Sequence, residues 1–173
     1  AEAVLAEQPR IVGFGVYIWN VAETTQIVAL LKQVRPDLLI VLGGPEVSHE
    51  WEEQSIFRLA DYLITGQADL AFAQLCQRVL AGDPPDEKII AAGTLPLNQL
   101  ALPYRFYTDE DIAHRLIYVE ASRGCPFRCE FCLSALDKTA WPFPLEPFLA
   151  EMQQLYDRGV RHFKFVDRTF NLN

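Results

Sequence analysis

No stretch of this chain approaches the ~20 consecutive apolar residues that a membrane-spanning helix needs, and the N-terminus lacks a signal-peptide pattern. Cysteine stands at four, histidine at three and methionine at one in 173 residues. Nothing in this usage suggests an oxidising compartment, so the expected setting is reduced and cytoplasmic. Basic charge is also short, with 15 Lys and Arg against 23 Asp and Glu, a formal charge of −8. The deficit belongs to the first half: 13 acidic face 6 basic residues through Ile90, and 10 face 9 after it. No basic patch points to nucleic acid. Two nucleotide signatures are missing as well. Gly13-Phe-Gly15 lacks the third glycine of a dinucleotide fingerprint, and no GxxxxGK[ST] phosphate loop occurs.

What is present is a core-forming composition, half hydrophobic and 22% charged, which argues for a folded chain and against disorder. After a helix tail at residues 2–8, apolar runs at 11–18, 38–42, 61–64 and 88–92 read as strands. They alternate with helical patterns over 21–34, 51–59 and 66–80. In the first helix Ile27, Leu30, Leu31 and Val34 share one face, and Pro36 ends it. Near-continuous apolar strands alternating with helices predict a doubly wound parallel sheet, Rossmann-like or flavodoxin-like. Ligands of such sheets bind beyond the carboxyl ends of the strands. Those ends carry Gly13-Phe-Gly15, Gly43-Gly44 and Gly66. Small residues there admit a large flat ligand close to the backbone, or they simply make tight turns. Cys76 lies in the last helical pattern and reads as core.

The second half is organised around Glu120-Ala-Ser-Arg-Gly-Cys125-Pro-Phe-Arg-Cys129-Glu-Phe-Cys132, which follows a strand over 116–120. Three of the four cysteines fall within eight residues as CxxxCxxC. Soft thiolates on a curled loop are what an iron–sulfur cluster needs, with Gly124 permitting the turn and Pro126 stiffening it. Three ligands leave one iron of a 4Fe–4S cluster open. Structural zinc is the alternative, but it wants a fourth ligand, and the nearest spare one is His114. A disulfide would leave an odd cysteine.

This stretch resembles the signature of the radical S-adenosylmethionine (SAM) enzymes, CxxxCxΦC with an aromatic before the last cysteine. The resemblance implies that Cys125, Cys129 and Cys132 ligate a 4Fe–4S cluster, that SAM chelates the fourth iron, and that Phe131 packs near the adenine. A helix over 146–158, with Phe148, Leu149, Met152 and Leu155 on its buried side, and a strand over 161–166 follow an aromatic turn at 141–144. Strand, helix and parallel strand make the opening unit of a (β/α) barrel, with chemistry expected at the strands' carboxyl ends. By resemblance Asp167 meets the ammonium group of SAM, with Thr169 and Asn171 as further polar partners.

A second resemblance covers residues 11–80. Val12-Gly-Phe-Gly-Val-Tyr-Ile-Trp-Asn20, Val41-Leu-Gly-Gly-Pro-Glu-Val-Ser48 and Tyr62-Leu-Ile-Thr-Gly66 are similar to the cobalamin-binding domain that precedes many radical SAM barrels. Its matched positions are Gly15, Tyr17, Gly43, Gly44, Pro45, Glu46 and Gly66, and the resemblance implies that they line the path of cobalamin's nucleotide tail. His49 reads as a surface residue.

The expected organisation is a cobalamin-binding Rossmann-like domain at 1–92, an ordered linker at 93–115 in which Thr108 caps a helical turn, and the start of a radical SAM barrel at 116–173. A closed barrel takes about 200 residues, so the chain reads as an internal fragment of a larger enzyme. Together the resemblances imply reductive cleavage of SAM to a 5′-deoxyadenosyl radical for methyl transfer to an unactivated carbon, with cobalamin carrying the methyl group. Rearrangement or ring closure without methylation, or a cobalamin-binding module inactive as this fragment, are the other readings. A small-molecule substrate and an electron donor of flavodoxin or ferredoxin type complete the expected partners.

Overall fold

Four short apolar runs build one parallel sheet in the computed structural model of this chain, which describes residues 1–132 and 139–170. The strands are β1 (Ile11–Gly15), β2 (Leu39–Gly43), β3 (Tyr62–Thr65) and β4 (Ile89–Ala91), hydrogen-bonded in the order β1-β2-β3-β4. They belong to a unit spanning Ala1–Leu95; a second unit spans Pro96–Asn173.

The strands' alternation builds the two layers around the sheet. Ile40 and Leu42 of β2 and Leu63 of β3 pack with Val28 and Leu31 of helix α2 (Val21–Val34), which follows the short α1 (Glu2–Ala6). Val47 of α3 (Pro45–Ser48) and Ile56 of α4 (Ser55–Leu59) join the same cluster. Val41, Tyr62 and Ile64, the intervening residues, pack with Leu75 and Val79 of α5 (Asp69–Ala81). Both faces are covered, so the sheet is doubly wound, as the alternating pattern implies. Each fully buried Leu or Ile contributes about 1.5–3 kcal/mol against exposure.

Several expectations are corrected. β1 stops at Gly15 rather than residue 18, because Asn20 takes over the backbone. Its amide Nδ2 donates to the Gly15 carbonyl (3.0 Å) and its Oδ1 accepts the Tyr17 N–H (2.8 Å). In α2 the buried stripe is Thr24, Val28 and Leu31, whereas Ile27, Leu30 and Val34 are exposed. The helix expected over 51–59 is instead a 3-10 turn, Trp51–Glu53, followed by α4. Cys76 is a half-buried thiol rather than core, and burial pushes its pKa up.

The second unit opens with 3-10 turns Leu97–Gln99 and Tyr104–Phe106, then α6 (Asp109–His114). Thr108 caps α6 as expected: its hydroxyl accepts the Asp111 N–H (3.1 Å), and the Asp111 carboxylate accepts the Thr108 N–H (3.0 Å). Strand β5 (Ile117–Val119) pairs in parallel with β8 (Phe163–Phe165), and between them lie β6 (Ser122–Gly124), β7 (Ala140–Pro142) and α7 (Leu145–Asp157). Ile117, Val119, Phe148, Leu155, Val160 and Tyr104 form the core. Leu149, expected on the buried side of α7, is 53% exposed. The expected strand, helix and parallel strand are thus present as one β–α–β unit.

The outer edge of β5 is closed by two tyrosines of the connecting segment. The Tyr104 hydroxyl donates to the Glu120 carbonyl (3.0 Å) and accepts the Glu120 N–H (2.9 Å). Tyr107 does the same for the Tyr118 carbonyl (2.9 Å) and N–H (3.2 Å). Two phenols, three residues apart, thereby stand in for a neighbouring strand at alternate residues.

Candidate functional site

In the first unit, parallel register puts Gly15 beside Gly43. Two adjacent strands therefore end without side chains, and a groove of about 500 Å³ opens there. Its floor is Gly13, Gly15, Gly43 and Gly44, and Tyr17, Ala68, Asp69 and Phe72 are among its walls. The Gly43 carbonyl accepts the Val16 N–H (2.7 Å), and Gly44 then turns with φ +107. A Cβ on Gly44 would stand 2.5 Å from the Val16 carbonyl oxygen, so only glycine fits this exit.

The groove brings together Gly15, Tyr17, Gly43 and Gly44 of the residues matched to the cobalamin-binding pattern. Pro45, Glu46 and Gly66 do not line it. Pro45 opens α3, and the Glu46 side chain accepts from Gln54 Nε2 (3.4 Å). Gly66 lies at the exit of β3, its N–H directed at the Ser48 hydroxyl (3.4 Å). His49 is exposed, as expected of a surface residue. Trp19, which motif reading passed over, stacks on Tyr17 with ring centroids 4.6 Å apart and is itself 74% exposed. Its only sequence signal is its place two residues beyond a groove aromatic.

In the second unit the cysteine loop leaves the carboxyl end of β5 through a neck that the sequence did not announce. β6 pairs antiparallel with β7, so residues 122–124 lie against 140–142, and the expected aromatic turn at 141–144 is partly strand. Gly124 is needed at the neck, where φ is +97 and a Cβ would collide with the Thr139 carbonyl. Arg123 grips Glu120 through two nitrogens, at 3.1 and 2.9 Å.

Asp167, just past β8, ties the neck to the second strand. Its carboxylate accepts the Ala121 N–H (3.0 Å) and the Ser122 hydroxyl (2.6 Å). Two residues on, the Thr169 hydroxyl donates to Cys125 Sγ (2.9 Å). Asp167, Thr169 and Cys125 are therefore brought together, and Asn171 lies outside the described residues. Phe131 is 95% exposed.

The four cysteines are thiols without a disulfide. Cys129 is exposed, Cys125 and Cys132 are half-buried, and the Cys132 N–H donates to the Cys129 carbonyl (3.1 Å) in one turn. Among the described residues no three Cys, His, Asp or Glu side chains stand close enough to hold a metal ion, so the convergence expected of the three sulfurs is not formed. Thiols have no mutual attraction, and metal–sulfur bonds are what draw such a loop together. Chemically the donor set fits an iron–sulfur cluster: three soft thiols at one strand's exit. The groove fits a large ligand in the same sense, because the strand ends Gly15, Gly43 and Gly44 that line it carry no side chains.

Comparison with known proteins bears on both regions. Residues 1–76 match the B12 binding domain family. The cobalamin-dependent radical SAM methyltransferase TokK of Streptomyces tokunonensis is 27% identical over 95% of this chain and 28% of its own length. An uncharacterized methyltransferase of Pyrococcus horikoshii is 24% identical over 100% of this chain and 42% of its own. Among solved structures, the radical S-adenosylmethionine methyltransferase TsrM from Kitasatospora setae aligns with a TM-score of 0.69 at 18% identity, over 99% of this chain and 40% of that one. That last likeness shows a shared fold. The chain spans less than half the length of the relatives it matches. The chain is thus similar to a B12 binding domain over residues 1–76 and, along almost its whole length, to methyltransferases, one of them cobalamin-dependent and radical SAM.

Proposed function

We propose that this chain is the cofactor-binding part of a cobalamin-dependent radical SAM methyltransferase. The observation that carries the reading is the pairing, in one chain, of a B12 binding domain match over a glycine-floored groove with a CxxxCxxC loop at the exit of the first strand of a β–α–β unit.

Cys125, Cys129 and Cys132 would hold a 4Fe–4S cluster, and Gly15, Tyr17, Gly43 and Gly44 would face cobalamin. Bound together, the cluster and SAM would supply one-electron radical chemistry at a substrate carbon, and cobalamin would supply a methyl group. The chain's own residues supply placement. Asp167 and Arg123 fix the neck of the cysteine loop, so the three thiols emerge at the carboxyl end of β5, where barrel enzymes keep their chemistry. Phe131, exposed beside Cys132, is available to cover an adenine ring. Gly43 and Gly44 keep the sheet's exit bare, so that a large ligand can rest on backbone.

The test is anaerobic reconstitution of the full-length protein with iron and sulfide, and spectra with and without cobalamin. About four irons per chain, 5′-deoxyadenosine from SAM and a methylated product are expected. A single tetrahedral zinc in place of iron would overturn the reading. Deoxyadenosine with an unmethylated, rearranged product would move it to radical chemistry without methyl transfer.

A further inference from the structure

Of the three thiols, Cys125 sits nearest the neck, and its sulfur is met by a hydroxyl from the other strand. Thr169 Oγ1 lies 2.9 Å from Cys125 Sγ. The contact is built from both sides. On one side Ser122, three residues before Cys125, is held by Asp167 (2.6 Å) and also reaches the Thr169 carbonyl (3.4 Å). On the other, Thr169 stands two residues after Asp167, whose carboxylate also holds the Ala121 N–H (3.0 Å). A β-branched threonine has few rotamers with which to turn its hydroxyl elsewhere. The resemblance makes Thr169 a polar partner of SAM, and in this structure its hydroxyl donates to the Cys125 sulfur.

We infer that Thr169 is a positioning residue that sets the reduction potential of a cluster held by Cys125, an inference that rests on the reading of the cysteine loop as a cluster site. A hydrogen bond to a ligating sulfur withdraws negative charge from it. The reduced cluster, which carries one more electron, gains more from that bond than the oxidised one, so the bond raises the potential. The hydroxyl would ease the uptake of the electron that SAM cleavage consumes.

The experiment uses the full-length protein, reconstituted anaerobically as wild type, Thr169→Val and Thr169→Ser, with iron and sulfide counted and the midpoint potential read by redox titration under electron paramagnetic resonance. Valine keeps the shape and deletes the donor. With cluster content unchanged, the ratio of reduced to oxidised cluster at a fixed potential is expected to fall about tenfold in Thr169→Val, a shift of about 59 mV to lower potential for a one-electron couple. Thr169→Ser restores it. An unchanged potential in a fully loaded Thr169→Val protein overturns the inference and leaves the functional reading standing. Loss of the cluster in Thr169→Val also overturns it, since the role would then be structural. Wild type that takes up no iron overturns the functional reading itself, and the inference falls with it.

Discussion

At the scale of single residues, the groove depends on atoms that are not there. Gly44 combines a positive φ with a backbone neighbour 2.5 Å from where a Cβ would stand. Gly44→Ala is expected to cost about 1–3 kcal/mol in backbone strain alone and to lower the urea midpoint of the first unit's unfolding. Cobalamin affinity of the full-length protein should fall alongside; unchanged stability would show that the turn can be remade. Asp167 works by the opposite means, through two bonds to the loop's neck. Asp167→Ala leaves the Ala121 N–H without its acceptor, a loss of about 1–3 kcal/mol, to be read as a lower denaturation midpoint. Asp167→Asn, which keeps one acceptor, should lose less. The glycines at the strand ends were visible in the sequence, though spacing alone left ligand approach and tight turns equally open. The Asp167 clamp was not, because its partners lie 45 and 46 positions away and no local pattern reports such a pairing.

Among elements, β5 shows how a linker can act as part of a sheet. Tyr104 and Tyr107 cover its outer edge, and burial pushes the Tyr104 phenol up, so it remains an O–H donor at any working pH. Tyr104→Phe strands the Glu120 N–H and carbonyl and should cost about 1–3 kcal/mol. Faster amide exchange at Glu120 than at Ile117 would be its mark, and uniform protection would count against the edge role. Helix α6 offers a pH test. Hydrogen bonds from the Thr108 side chain and backbone hold the Asp111 carboxyl below the ordinary carboxylate range. A group with a depressed folded pKa stabilises above its unfolded value and loses that contribution as pH falls through the folded one. Protection of the α6 amides should thus be flat at neutral pH and decline only in acid below the usual carboxylate range, whereas Thr108→Ala should weaken it by about 1 kcal/mol at neutral pH. The cap was readable from Thr108-Asp-Glu-Asp111, since helix caps are local. The tyrosine edge was not, because nothing in the spacing of two tyrosines names the strand they will meet.

For the whole molecule, the periodicity of apolar runs was enough to draw the parallel sheet, since burial on both faces leaves near-continuous apolar strands, and the alternation over 161–166 was enough to draw the second strand of the β–α–β unit. Strand ends, the split of residues 51–59 and the antiparallel neck escaped, each decided by one side chain or one long-range pairing. Among the described residues the second unit has only β5 and β8 as parallel strands. Two strands cannot wall a radical away from water, so the 173-residue chain alone is expected to yield no 5′-deoxyadenosine from SAM. Deoxyadenosine from the purified 173-residue chain would overturn that. No helix among the described residues is long and apolar enough to cross a membrane.

The pairing of Ser122–Gly124 with Ala140–Pro142 has one further consequence. The chain leaves the framework at Gly124 and rejoins it at Ala140, so backbone pairing alone brings the two ends of the cysteine segment together.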